Sequence, residues 1–253
     1  MLQDKLNLSQ SVLNRRVFTE KSYRKVTAGV LSAITDMGLL SKAEETIDVG
    51  AAAGILSTYF ASTTKFVHAY EPSHSYAQTI KLYDKFDNFK AYNLAVSDFE
   101  GTEKFYIDDR RLSQNGFLNP GWGKPIDVDV VRLDDQNHSN IGMIKIDTEG
   151  TELDVIRGAD KIIKTSWPTF MVEIWDQNTK YPLTEIFQHM TDLGYQTYWF
   201  HCKDRNIIKC DSVAQAVKDA SIEGYPHDAD FIFVHKSRST NDYTTRLVSP
   251  VTI

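Results

Sequence analysis

Cysteine is almost missing from this chain, with only Cys202 and Cys210 among 253 residues. Two thiols cannot build a disulfide scaffold, and these two lack companions at zinc-site spacing, so two reduced thiols in a cytoplasmic protein are expected. No run approaches the ~20 apolar residues of a membrane-spanning helix. Met1 to Glu20 is polar, without an apolar signal core or a small-residue cleavage site, so mature protein is expected from there on. An excess of positive charge is also lacking. Lys and Arg total 28 against 34 Asp and Glu, a net charge of −6. An extended nucleic-acid footprint needs a basic face and is therefore not expected. No repeat, low-complexity tract or linker divides the chain. What is there is ordinary for a globular protein, 42% hydrophobic and 25% charged, and long enough to bury a core without staples.

The order of patterns implies an α/β fold. In residues 1–45, Val26, Val30, Ala33, Ile34 and Met37 recur at spacings of three and four, which predicts a helical extension with one apolar face. Residues 46–253 read as one domain. Strands are predicted at Thr46–Gly50, Lys65–Tyr70 and Phe89–Val96, with helices at Ile55–Ser62 and Ser73–Asp87 between them. That βαβαβ alternation requires a parallel sheet with helices on its faces. Thr102–Ile107 reads as an edge strand and residues 108–125 as a loop, either a lid over the substrate or a solvated connection. Further strands are expected at Val128–Leu133, Ile141–Ile146, Thr169–Ile174, Tyr195–Phe200 and Asp230–His235. Helices are expected at Thr151–Lys164, with Thr151 and Asp154 resembling a capping box, and at Pro182–Leu193. Residues 201–229 form a polar excursion.

Three places carry chemistry. Asp48-Val49-Gly50-Ala51-Ala52-Ala53-Gly54 lies where a strand becomes a helix. Small residues there admit a tight turn and a ligand close to the main chain, and the free N–H groups of the new helix favour an anion. Asp48 is placed to hold an ammonium of the same ligand. Glu71, followed by Pro72, ends the next strand about 20 residues on, where a carboxylate can accept from both hydroxyls of an adenosine ribose. Asp147, Glu149 and Glu152 follow a buried strand at the carboxyl edge of the sheet, where ligands bind. Carboxylates so close repel one another, so some must be hydrogen-bonded or face substrate. A helix N-terminus suffices to explain Glu152 but not Asp147.

Taken together and in order, these residues resemble the FkbM-type methyltransferases. The matching pieces are Ile47-Asp48-Val49-Gly50-Ala51 with Gly54, Tyr70-Glu71-Pro72, Asn93-Leu94-Ala95-Val96-Ser97-Asp98 with Gly101, and Leu133-Asp134-Asp135. They continue with Ile144 through Glu152, Val155-Ile156-Arg157-Gly158-Ala159, Pro168 and Val172-Glu173. The resemblance covers residues 46–200. It implies a Rossmann-like class I methyltransferase fold with a seven-stranded, mostly parallel sheet. It also implies S-adenosylmethionine (SAM) as donor, converted to S-adenosylhomocysteine (SAH), and O-methylation of a hydroxyl on a glycan, sugar or small metabolite. Asp48, Gly50, Ala51, Gly54, Glu71, Pro72, Ser97 and Asp98 are then the cofactor residues. The family often has Asn where this chain has Ala52. Residues 1–45 and 201–229 match no family pattern and are where acceptor identity would be set.

A neutral hydroxyl profits from a general base. Asp147 is the first candidate because of its strand end, and Glu149 and Glu173 come next; His201 and His227 read as incidental. Asp147, Glu173, Asp176 and Asn178 offer oxygen ligands of the kind Mg²⁺ takes, but no spacing singles out an ion and none is expected. Three alternatives stand beside this reading. An NAD-dependent oxidoreductase would explain the glycine turn and Glu71 but not the ordered pieces downstream. A catalytically silent binding module is the second. The third is a nucleic-acid methyltransferase, with Arg110, Arg111, Phe117 and Trp122 cradling a base.

Overall fold

The computed structural model describes residues 30–31, 34–73, 86–107, 115–119, 121, 123–176, 178–201, 206–221 and 230–238. Its centre is β7 (Ile141–Ile146), buried along its whole length. Successive side chains of a strand point to opposite faces, and neighbouring strands repeat this alternation. Ile144, Ile146, Phe170, Val172, Phe231 and Phe233 enter one core, and Met143, Met171, Ile232 and Val234 enter the other. A sheet apolar on both faces must be covered on both.

β7 pairs in parallel with β1 (Glu45–Val49) on one side and β8 (Thr169–Glu173) on the other. Outward from β1 come β2 (Phe66–Tyr70) and β3 (Phe89–Tyr92), both parallel. Outward from β8 come β11 (Asp230–His235), β9 (Tyr195–His201) and β10 (Asn206–Lys209), each antiparallel to its neighbour. The order is β10-β9-β11-β8-β7-β1-β2-β3, eight strands rather than seven. The additional one, β10, lies in the polar excursion 201–229, for which the sequence pattern predicts no element, and α5 (Val213–Ala220) follows it, capped by Ser212 Oγ on the Gln215 N–H at 3.2 Å.

Helix α1 (Ile55–Thr63) covers one face together with Val30, Leu31, Ile34, Met37 and Leu39. The predicted N-terminal apolar face is thus buried at Val30, Ile34 and Met37, while Val26 and Ala33 lie outside the described residues. The other face carries α2 (Glu152–Arg157), α3 (Asp160–Ser166), α4 (Leu183–Asp192) and α5. The helix expected at Ser73–Asp87 falls almost wholly outside the described residues.

Two expectations are corrected. Phe89–Val96 is not one strand. It breaks at Asn93-Leu94, where Asn93 Nδ2 donates to the carbonyls of Glu71 and Pro72 at 3.0 and 3.2 Å. β4 (Ala95–Val96) then leaves for a second, three-stranded sheet with β6 (Lys124–Val131) and β5 (Gly101–Ile107), in the order β4-β6-β5. Thr151–Lys164 is likewise not one helix but α2 and α3, broken at Gly158-Ala159. Gly158 lies so close to β4's exit that a Cβ there would stand 2.1 Å from the Ser97 carbonyl oxygen. The predicted face of Leu153, Ile156, Ala159 and Ile163 is buried across the break. The capping box is absent: Thr151 makes no side-chain cap, and its Oγ1 is buried without a partner.

Candidate functional site

The strand order reverses between β1 and β7, and open α/β sheets bind ligands at the carboxyl ends beside such a reversal. On the β1 side, Gly50 turns the chain at φ +73°, and a Cβ there would lie 1.8 Å from the Asp147 carbonyl oxygen, so only glycine fits. The Gly50 and Ala51 N–H groups both donate to the Tyr70 carbonyl at 3.0 Å. The Ala52 N–H donates to Glu71 Oε2 and the Ser73 N–H to Glu71 Oε1, each at 2.8 Å. Glu71 is buried at 6% exposure, and burial pushes its carboxyl pKa up against these two hydrogen bonds. Gly54 precedes α1 in the left-handed region, and no side chain caps that helix end. The first N–H groups of α1 are thus left to an incoming anion.

Asp48 is fully buried, accepts from Ser57 Oγ at 2.5 Å, and its Oδ1 lies 3.5 Å from Lys145 Nζ. Its carboxylate ties β1 to α1 and to β7 beneath the turn.

On the β7 side, Asp147, Glu149 and Glu173 each bring a carboxylate oxygen within 4.8 Å of the other two. Asp147 also takes Lys145 Nζ at 3.3 Å, and its N–H donates to the Val49 carbonyl. Glu149 stands at φ +57°, a conformation non-glycine residues rarely adopt and one that gathers at functional sites. It accepts from Asn178 Nδ2 at 2.8 Å. Burial, then the Asp147 charge, raises its pKa to about 8. The Asp147 charge, then burial, holds Glu173 well above the usual carboxylate range. Glu152 turns inward, accepting from the Thr148 and Gly150 N–H groups at 3.3 and 2.8 Å and from Thr148 Oγ1 at 3.1 Å; burial raises its pKa to about 7. It braces the turn that presents Glu149, which goes beyond the helix-terminus role expected of it. The three gathered carboxylates are the kind of oxygen ligands a divalent cation takes. Asp176 is exposed and outside the group, and Asn178 enters through Glu149.

Part of the central loop reaches this cluster. Gly116 exchanges backbone hydrogen bonds with Tyr106 of β5 at 2.8 and 3.2 Å, and Phe117 meets Phe105 edge-on at 5.5 Å. Leu118 lies against Gly150, and Gly116 against Glu149. Arg110, Arg111 and Trp122, named for a base-cradling role, lie outside the described residues, as does His227; His201 ends β9.

Gly50, Ala51, Gly54, Glu71 and Pro72 therefore line one side of the reversal, and Asp147, Glu149 and Glu173 the other. The Ser97 N–H donates to the Val131 carbonyl, and Ser97 and Asp98 lie against Gly158. Sequence reasoning gave Lys145 and Asn93 no role of their own and did not name Leu118. A lone lysine inside an otherwise apolar strand was the available signal for the first.

The family model for the methyltransferase FkbM domain matches residues 48–197. No curated protein matches the chain. Among solved structures, the chain is similar to methyltransferase FkbM from Methylobacillus flagellatus, with 17% identity, TM-score 0.50, and coverage of 88% of this chain and 52% of that one. The chain thus spans about half the length of that relative. It is also similar to a putative methyltransferase from Streptococcus mutans in complex with SAH (9% identity, TM-score 0.48, 81% and 94% covered). A third is a SAM-dependent methyltransferase from Aquifex aeolicus (11%, TM-score 0.44, 87% and 95% covered).

Proposed function

Because the chain belongs to the FkbM methyltransferase domain family, we propose that it is a SAM-dependent O-methyltransferase. Its acceptor is a hydroxyl on a sugar, glycan or small metabolite, and it works in the cytoplasm as one methyltransferase domain, residues 46–253, behind an N-terminal helical cap, residues 1–45. The observation that carries the reading is the pairing of a glycine turn and Glu71 on one side of the sheet reversal with three converging carboxylates on the other. Among the described residues no helix is long and apolar enough to cross a membrane.

The residues fit the donor. The uncapped start of α1 suits a carboxylate, and the Glu71 carboxylate, which accepts from the Ala52 and Ser73 N–H groups and the Ser73 side chain, is placed to accept from a ribose hydroxyl. When bound, SAM supplies a methyl group already activated on a sulfonium. The work left to the chain is alignment and proton removal. Glu71 and the turn at Gly50–Gly54 orient the donor, as we read them. At the other side, a carboxylate takes the acceptor's hydroxyl proton. The Asp147 charge holds the Glu173 carboxyl well above the usual range, and Glu149 has the pKa best matched to mildly alkaline pH.

Calorimetric titration with SAM tests this, with NAD as control and Glu71→Ala as variant. One-site SAM binding is expected, weakened tenfold or more in the variant, since a hydrogen bond to a charged group contributes ~1.5–3 kcal/mol. No comparable NAD binding is expected. A folded wild type that ignores SAM would falsify the enzyme reading and favour a silent binding module.

A further inference from the structure

We propose that Lys145 is the positioning residue of this site, the buried cation that locks the cofactor turn to the carboxylate group; the inference rests on the methyltransferase reading above. Lys145 sits opposite Asp48 in the β1–β7 register, and its side chain is 6% exposed. Burying an ammonium carries a desolvation penalty of several kcal/mol, so it persists only where oxygens replace its water. Here three do, from three pieces of chain: Asp48 Oδ1 of β1 at 3.5 Å, the Gly50 carbonyl of the turn at 3.0 Å, and Asp147 Oδ2 past the end of β7 at 3.3 Å.

Neutralising Asp48 alone would not require this arrangement. The shortest of the three contacts is to the Gly50 carbonyl, at the residue where β1 turns towards α1. That contact fixes the peptide plane between Gly50 and Ala51. The same peptide's Ala51 N–H donates to the Tyr70 carbonyl, and the next peptide brings the Ala52 N–H to Glu71 Oε2. The same ammonium orients Asp147. Donor grip and acceptor-side carboxylate are therefore referenced to one charge. Without it, the Gly50 carbonyl loses its anchor, the turn is held only through its N–H groups on Tyr70, and the Ala52 N–H is set less firmly on Glu71.

The test compares SAM affinity in the full-length wild type, D48N/K145M, K145Q and K145R, well below each melting temperature. The double substitution removes both charges of the buried Asp48–Lys145 pair together and leaves only the part-exposed Asp147 without its cation; near-UV circular dichroism checks its fold. A folded double variant is expected to bind SAM at least tenfold more weakly than wild type, a loss that a purely stabilising role would not produce. Affinity within twofold of wild type overturns the proposal. If the double variant does not fold, K145R against K145Q decides. Arginine keeps the cation and is expected to bind at least tenfold tighter than glutamine; equal affinities overturn the proposal. Failure of the wild type itself to bind SAM is the distinct result that removes the methyltransferase reading and this inference with it.

Discussion

At the scale of single residues, Glu149 joins strain, burial and charge. Its backbone is left-handed, Asn178 holds one oxygen, and burial with the Asp147 charge lifts its pKa to about 8. A base must be unprotonated to act. Methyl transfer is therefore expected to rise with pH up to a limb near 8, and Glu149→Gln to lose ~10²–10⁴-fold in rate without weakening SAM binding. The same shift acts on stability with a definite sign. The folded pKa exceeds the ordinary value of 4.5, so the folded state holds the proton more tightly than the unfolded one. Its stabilising effect is complete below pH 4.5 and disappears as pH rises through 8. Glu149→Gln should melt higher than wild type above pH 8 while being less active, and thermal melts across pH check this. Ala52 is a simpler case. At φ +47° it occupies a region that asparagine enters more easily than alanine. Ala52→Asn should stabilise by about 1 kcal/mol in urea unfolding.

At the scale of elements, the break between α2 and α3 has a counterpart elsewhere in the chain. Asp134, in the short turn after β6, accepts from the Lys161 N–H with both oxygens, at 3.0 and 2.9 Å, and from the Ile162 N–H at 3.1 Å. It caps α3 from 27 residues away. The Asp134 N–H in turn donates to the Gly158 carbonyl at the break. Removing such a cap costs about 1–2 kcal/mol. Asp134→Ala should lower stability by that amount in urea while leaving SAM affinity unchanged, because α3 lies behind the site. A large loss of SAM affinity would place Asp134 in the site itself.

At the scale of the molecule, the small sheet and its Gly116–Leu118 strap reach the carboxylates from one direction while the main sheet supplies them from another. A second titrating cluster lies beyond the β1 start. Glu45 meets His68 Nε2 at 3.0 Å, His68 Nδ1 meets Tyr92 at 3.1 Å, and Tyr70 meets His138 Nε2 at 2.8 Å, with the two histidine rings 4.3 Å apart. Burial, then the proximity of His68, lowers the His138 pKa to about 4. A histidine held neutral stabilises the fold above its ordinary value of 6.5, and that stabilisation is lost as pH falls through 4. Urea midpoints should drop between pH 6.5 and 4, and His138→Gln, which retains a partner for Tyr70, should flatten the drop. An unchanged slope would assign acid sensitivity to other groups.

The sequence by itself determined the alternating α/β order, the glycine turn, Glu71 at the end of β2 and the acidic turn after β7. Each is written locally: period-two apolar runs, a small-residue turn, a carboxylate at a strand end. Only the tertiary structure decided that Phe89–Val96 serves two sheets and that Gly158 breaks a helix, because both depend on the close approach of β4 to α2. Only it paired Asp48 with Lys145, because those residues are distant in the chain and meet through parallel pairing of β1 with β7. The gathering of Glu173 with Asp147 and Glu149 has the same origin: adjacent parallel strands bring their carboxyl ends side by side, a juxtaposition that no local pattern encodes.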